Sequence, residues 1–141
     1  MYYLDSNIFI LPILYEGRKS SIALSVLKQL VKGHINGATS SLTFDEITWT
    51  ITKRYSREAA LMNIELILKF PHLKILEVRK QDISKMLEIM RENKNTAPRD
   101  AVHASVSLRH NINRIISDDM DFSRMPGINH ISLESFEKSN V

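Results

Sequence analysis

Met1-Tyr2-Tyr3-Leu4-Asp5-Ser6-Asn7 opens the chain, and the fold turns on how this stretch is read. Tyr2, Tyr3 and Leu4 are aromatic or apolar and suit a buried strand. Asp5, Ser6 and Asn7 are the residue types that end a strand, make a turn and cap a helix. A carboxylate at the carboxyl end of a strand stands where open α/β sheets bind ligands. Asp5 can equally be a plain helix cap, and taken alone that is the simpler reading. The rest of the chain decides, because isolated acids recur at equivalent places.

Downstream, helical and strand patterns alternate. Helical spacing of apolar residues predicts helices over residues 8–15 (disturbed at Pro12), 20–35, 43–55, 56–70, 81–93 and 98–110. Pro98 suits the first position of its helix. Short β-like runs are expected at 38–41, 73–78, 113–117 and 129–132, with a turn or short helix over 118–125. Such alternation predicts an α/β fold with a central parallel sheet flanked by helices on both faces. The expected organisation is one domain over residues 1–134, followed by a polar tail, 135–141, that frays. Phe44, Trp49 and Tyr55, on the helix after the second strand, are expected in the core.

The chain has 141 residues, of which 43% are hydrophobic and 25% charged, as in an ordinary globular domain. No apolar run reaches the ~18 residues of a membrane span. With no signal-peptide pattern, the cytoplasm is the expected location. There is no Cys, which excludes disulfides, thiolate zinc sites and cysteine nucleophiles. A net charge of +3 permits a nucleic-acid partner without requiring one.

Four acidic positions carry the chemistry. Asp5 follows the first strand. Glu46 opens the helix after the second, where Thr43 and Glu46 also match a capping box. Asp100 lies in the first turn of a helix, where the helix dipole favours an acid in any case. Asp118, Asp119 and Asp121 follow the apolar strand at 113–117, and three acids so close repel one another unless a cation or solvent relieves them. In a right-handed parallel fold all four positions converge on one sheet edge. Carboxylates without Cys or a His pair select Mg²⁺ or Mn²⁺ rather than zinc.

These residues resemble the motifs of the PIN-domain ribonucleases, and most closely the VapC-type toxins of toxin–antitoxin pairs. The first motif of that family is seen in Leu4-Asp5-Ser6-Asn7, and its isolated acid after strand two in Glu46. Its Asp-Ala-x-His-Ala motif stands as Asp100-Ala101-Val102-His103-Ala104. The last motif stands as Ser117-Asp118-Asp119-Met120-Asp121-Phe122. The resemblance spans nearly the whole chain; each motif alone is weak, and the four in order are specific. It implies a metal-dependent endoribonuclease in which Asp5, Glu46, Asp100 and Asp119 are catalytic. Of these, Asp5, Asp100 and Asp119 would hold Mg²⁺ or Mn²⁺. Asp121 would be auxiliary, and Ser6, Asn7 and Ser117 would orient carboxylates or water. The products implied are a 5′-phosphate and a 3′-hydroxyl. A small antitoxin protein and a homodimer are the implied partners. Tyr15, Phe44, Trp49 and Leu61 are candidate residues of an antitoxin groove, with the core as their plainer place.

Other constellations are weaker. His103, three residues beyond Asp100, is either a ligand or, more plainly, a packed or hydrogen-bonded histidine. Arg99 is the best candidate for a phosphate contact. No nucleophile elbow, P-loop or dinucleotide fingerprint occurs. A haloacid-dehalogenase-type phosphatase needs a second Asp where Asn7 stands. A housekeeping RNA-processing nuclease and a non-catalytic PIN-like RNA- or protein-binding module remain alternatives.

Overall fold

In the computed structural model, which describes residues 1–140, five short parallel strands lie in the order β3-β2-β1-β4-β5. They are β1 (Tyr2–Leu4), β2 (Gly37–Ser40), β3 (Leu73–Leu76), β4 (Arg114–Ile116) and β5 (Asn129–Ile131). Seven helices connect and follow them: α1 (Ser6–Leu14), α2 (Arg18–Val31), α3 (Leu42–Arg54), α4 (Arg57–Leu68), α5 (Lys80–Glu92), α6 (Pro98–Arg109) and α7 (Leu133–Ser139). A 3-10 turn, Met120–Arg124, links β4 to β5. The expected α/β architecture is present, with element ends shifted by a few residues. No helix among the described residues is long and apolar enough to cross a membrane.

The two-residue period of a strand divides the interior into two cores. Leu4 and Ile116 point to one face and pack with Ile8, Phe9, Val26, Leu30, Ile47 and Ile51 from α1 to α3. Tyr3 and Ile115 point to the other and pack with Ile89, Ala101, Val102 and Phe122. The register pairs Tyr3 with Ile115 and Leu4 with Ile116, so the alternation agrees across neighbouring strands. Small residues on α6 (Ala101, Ala104, Ser105, Ser107) are almost fully buried and let that helix lie close to the sheet.

The C-terminal segment differs from expectation. Rather than fraying, it forms α7, capped by the Ser132 hydroxyl accepting from the Ser135 N–H. Leu133 and Phe136 reach the first core, and the Arg18 guanidinium pairs with Glu137 at 2.7 Å. Its polar residues hid a two-residue apolar anchor at i, i+3 spacing, too brief to register as an amphipathic pattern. The aromatic residues of α3 also differ: Trp49 and Tyr55 are exposed, as are Tyr15 and Leu61, while Phe44 is half-buried.

Strand order reverses between β1 and β4, both of which are central. This places the crevice of a doubly wound sheet beyond the carboxyl ends of those two strands, where Asp5 and Asp119 leave the sheet.

Candidate active site

Asp5 leaves β1 directly beneath this crevice and is buried. Every hydrogen-bonding partner of its carboxylate is a donor. Oδ1 accepts from the Ser6 backbone N–H at 2.8 Å. Oδ2 accepts from the Ser117 hydroxyl at 2.6 Å and the Asn7 amide at 2.9 Å. Asp5 therefore does cap α1, as the simpler reading held, and it also anchors a network. Burial pushes its carboxyl above the ordinary range, against the opposing effects of His103 and the Ser117 hydroxyl.

Ser117 joins β1 to β4. Its hydroxyl donates to Asp5, accepts from the Asn7 amide at 3.0 Å and accepts from the Asp119 N–H at 2.9 Å. Two hydrogen bonds thus connect the Asp5 carboxylate to the backbone of Asp119. Asn7 contributes a second tie, its Oδ1 accepting from the Asp118 N–H at 3.3 Å.

Glu46 does not make the capping box that Thr43-x-x-Glu46 suggested. The helix is capped two residues earlier, at Ser41, and the Thr43 hydroxyl is bonded to Thr39 at 2.7 Å. The Glu46 carboxylate instead turns inward. Its Oε2 accepts from the Ser6 hydroxyl at 3.0 Å, and its Oε1 lies 2.5 Å from His103 Nε2.

Asp100, in the first turn of α6, faces Asp119 and Asp121 across the crevice. Each of the three offers a carboxylate oxygen, and these atoms lie within 4.8 Å of one another. All three side chains are partly exposed. Burial pushes the Asp100 carboxyl up to about 8, reinforced by the Asp5 charge and by its hydrogen bond and charge contact with Asp119. Asp121 is brought into place by its own N–H, which bonds Asp119 Oδ1 at 2.9 Å. Asp5 is not one of the three converging acids, but its charge bears on Asp100 from below.

Asp118 points away and pairs with Lys19 at 2.9 Å. Arg99 is exposed and, among the described residues, has no ion pair or hydrogen-bonding partner for its side chain. His103 is wholly buried and hydrogen-bonded, the plainer of its two readings. Its partner Tyr3 had no signal in the sequence beyond one: a buried phenol needs a partner for its hydroxyl.

A parallel sheet whose order reverses at a crevice lined by Asp5, Glu46, Asp100, Asp119 and Asp121 defines an acid-lined α/β domain. Comparison with known proteins narrows that class. The model of the PIN domain family matches residues 2–128, and the chain belongs to that family. It is 26% identical over 136 residues to VapC ribonuclease Mb1869c of Mycobacterium bovis and to ribonuclease VapC13 of Mycobacterium tuberculosis. Those alignments cover 94% of this chain and all of each relative. Among solved structures, VapBC2 from Rickettsia felis bound to a promoter DNA fragment superposes with a TM-score of 0.71 at 19% identity. The match covers 93% of this chain and 97% of that one. The DNA-bound VapBC of Salmonella typhimurium gives 0.69 at 19% identity over 94% and 97%. Mycobacterium tuberculosis VapC20, a toxin that cleaves the sarcin–ricin loop, gives 0.68 at 14% identity over 91% and 98%.

Proposed function

We propose that this chain is a divalent-metal-dependent endoribonuclease and the toxin of a toxin–antitoxin pair. The observation that carries this reading is the convergence of Asp100, Asp119 and Asp121 beside the buried Asp5, within a PIN domain. The names of the curated relatives support the ribonuclease activity, and the VapBC complexes support an antitoxin partner.

The donor set fits a hard cation. It consists of carboxylate oxygens alone, partly open to water, with the spacing of ligands around one ion. Asp100, Asp119 and Asp121 would hold Mg²⁺ or Mn²⁺, with Asp5 adding negative charge beneath them. When bound, the ion would activate water and neutralise charge on the scissile phosphate. The chain's own residues do the rest. Ser6, Asn7 and Ser117 hold Asp5 in one orientation. Glu46, tied back by Ser6 and His103, presents a fixed acceptor at the crevice edge. Arg99, adjacent to Asp100 and unpaired among the described residues, is placed to contact an RNA phosphate.

A groove of about 710 Å³ between α3 and α4, lined by Thr48, Trp49, Thr52, Lys53, Arg57 and Leu61, is a fitting seat for an antitoxin segment. The exposure of Trp49 and Leu61, unexpected for core residues, is consistent with that use. A homodimer and a cytoplasmic location complete the reading.

The test is incubation of the purified chain with total cellular RNA, with and without Mg²⁺, and mapping of the new ends. Metal-dependent internal cuts leaving 5′-phosphates and 3′-hydroxyls are expected, and intact RNA under all conditions refutes the nuclease reading. For the toxin role, expression without an antitoxin should arrest growth, and an Asp5→Asn variant should not. Equal growth of the two cultures refutes the toxin role alone.

A further inference from the structure

Asp5 and Glu46 are both acidic and sit side by side over His103 and Ser6. The Ser6 hydroxyl lies 3.4 Å from Asp5 and 3.0 Å from Glu46. His103 Nε2 lies 3.7 Å from Asp5 and 2.5 Å from Glu46. Two like charges this close repel. Asp5 is fixed by the main chain and by three side chains. Glu46 has a long, flexible side chain on the first turns of α3, at the edge of the crevice, and only two contacts hold it in. Without them it would turn to water.

His103 cannot act from the crevice itself. It lies on the buried side of α6 with no exposed surface, beneath the carboxylates. Its ring chemistry follows from its neighbours. Nε2 faces only carboxylate oxygens, which accept, so Nε2 carries a proton. Nδ1 faces two hydroxyls, Tyr3 Oη at 2.7 Å and Ser40 Oγ at 3.4 Å. Burial pushes the Tyr3 phenol far above its ordinary range, so it stays protonated and can donate. The hydrogen bond at one ring nitrogen sets what the other can do.

We propose that Tyr3 and His103 form a positioning relay, in which Tyr3 Oη–H donates to His103 Nδ1 and His103 Nε2–H holds the Glu46 carboxylate at the metal site. The relay crosses the domain from β1 through α6 to α3, and it rests on the metal-site reading above. Its two members come from the second core, while Glu46 stands on a helix of the first. It therefore registers the two layers against each other at the crevice. Residues that orient groups around a metal typically change affinity by about 10–100-fold when lost.

A filler of the core and a relay make different demands at position 103. A filler needs only volume; a relay needs an N–H where Nε2 stands. His103→Leu keeps an apolar side chain there and removes the donor, and His103→Gln restores an amide N–H near that position. Mn²⁺ affinity, read by the EPR signal of free Mn²⁺, should fall about 10–100-fold in His103→Leu and stay within about threefold of wild type in His103→Gln. Tyr3→Phe, which removes one oxygen and leaves the ring, should weaken binding by several-fold. It also carries the test should His103→Leu fail to fold. Folded His103→Leu or Tyr3→Phe protein that binds Mn²⁺ like wild type overturns the relay, as do Leu and Gln variants weakened alike. Long-range ¹H–¹⁵N spectra of metal-free wild type give a second readout. They should show the Nε2–H form of His103, and an Nδ1–H form overturns the relay whatever the metal does. Wild-type protein that shows the Nε2–H form but binds no Mn²⁺ overturns the metal-site reading, and with it the relay's stated purpose.

Discussion

The five acids of the crevice fall into two groups that solve opposite problems. Asp5 and Glu46 form an inner pair whose oxygens are all taken by donors: the Ser6 N–H and hydroxyl, the Asn7 amide, the Ser117 hydroxyl and His103. Asp100, Asp119 and Asp121 form an outer group, partly exposed, whose oxygens converge on one another and meet fewer donors: the Asp121 N–H on Asp119 Oδ1 at 2.9 Å, and the exposed Arg124 guanidinium 3.7 Å from Asp121. Burial is tolerable for the inner pair because the fold supplies partners. In the outer group burial, reinforced by the charges of Asp5 and Asp119, pushes the Asp100 carboxyl up to about 8. A protein that wanted only stability would not arrange three carboxylates in this way. The difference separates a scaffold from a site awaiting positive charge.

This contrast can be broken most forcefully at Asp100. Asp100→Asn removes charge from the outer group and should lower metal-dependent cleavage by about a thousandfold, the scale of several kcal/mol of lost stabilisation. The same change should raise the melting temperature of the metal-free protein at neutral pH, because it removes the cost of burying a carboxyl that is ionised in the unfolded chain. A variant cleaving RNA at the wild-type rate would show that the outer group is not the site.

The pH dependence comes next in size. A carboxyl whose folded pKa is raised, from 3.8 to about 8, gives stability that is present in full below about pH 4 and lost as pH rises through about 8. The metal-free melting temperature should therefore fall across that window in wild type and fall less in Asp100→Asn. Metal binding must displace the same proton. Mn²⁺ affinity should rise about tenfold per pH unit between pH 6 and 8 and level off above, as titration calorimetry would measure. Affinity independent of pH over that range would mean that Asp100 is ionised before the ion arrives.

Ser117→Ala tests the inner group, with the opposite sign for stability. It strips one donor from Asp5 and leaves the Asp119 N–H without its acceptor, at a cost of about 1–3 kcal/mol. The melting temperature should drop by several degrees with or without metal. No change would mean that water replaces the hydroxyl and that the inner network is not held as tightly as its distances suggest.

The smallest effect is expected at Arg99, outside both groups. Arg99→Ala should weaken RNA binding a few-fold, irrespective of RNA sequence, and reduce the salt dependence by about one phosphate contact. Cleavage of bound RNA should be almost unchanged. An unaltered salt slope would remove Arg99 from the RNA path.

Much of this was legible in the amino-acid sequence because backbone chemistry is local. Alternating strands and helices predicted the parallel sheet, and Asp5, Glu46, Asp100 and Asp119 all lie at its carboxyl edge. Long-range contact was not legible. The capping-box pattern at Thr43 and Glu46 satisfied every local criterion, but Ser6 and His103, distant in the chain, supply stronger partners for Glu46. Trp49 and Tyr55 read as core because aromatic residues usually are, whereas α3 turns Ile47 and Ile51 inward and leaves those two outside. In the C-terminal segment, Leu133 and Phe136 among polar residues were too little pattern to predict α7. The division of the acids into a fully bonded pair and a converging trio depends on where Ser6, Asn7, Ser117 and His103 place their donors, which spacing does not encode.

Crystals grown without metal and soaked in Mn²⁺ would show, through the anomalous signal of the ion, whether the outer acids hold it. One strong peak is expected within about 2–2.5 Å of Asp100, Asp119 and Asp121 oxygens, with Glu46 still bonded to His103 and Ser6. No peak in the crevice, or an ion held by Glu46 with its His103 contact broken, would contradict it.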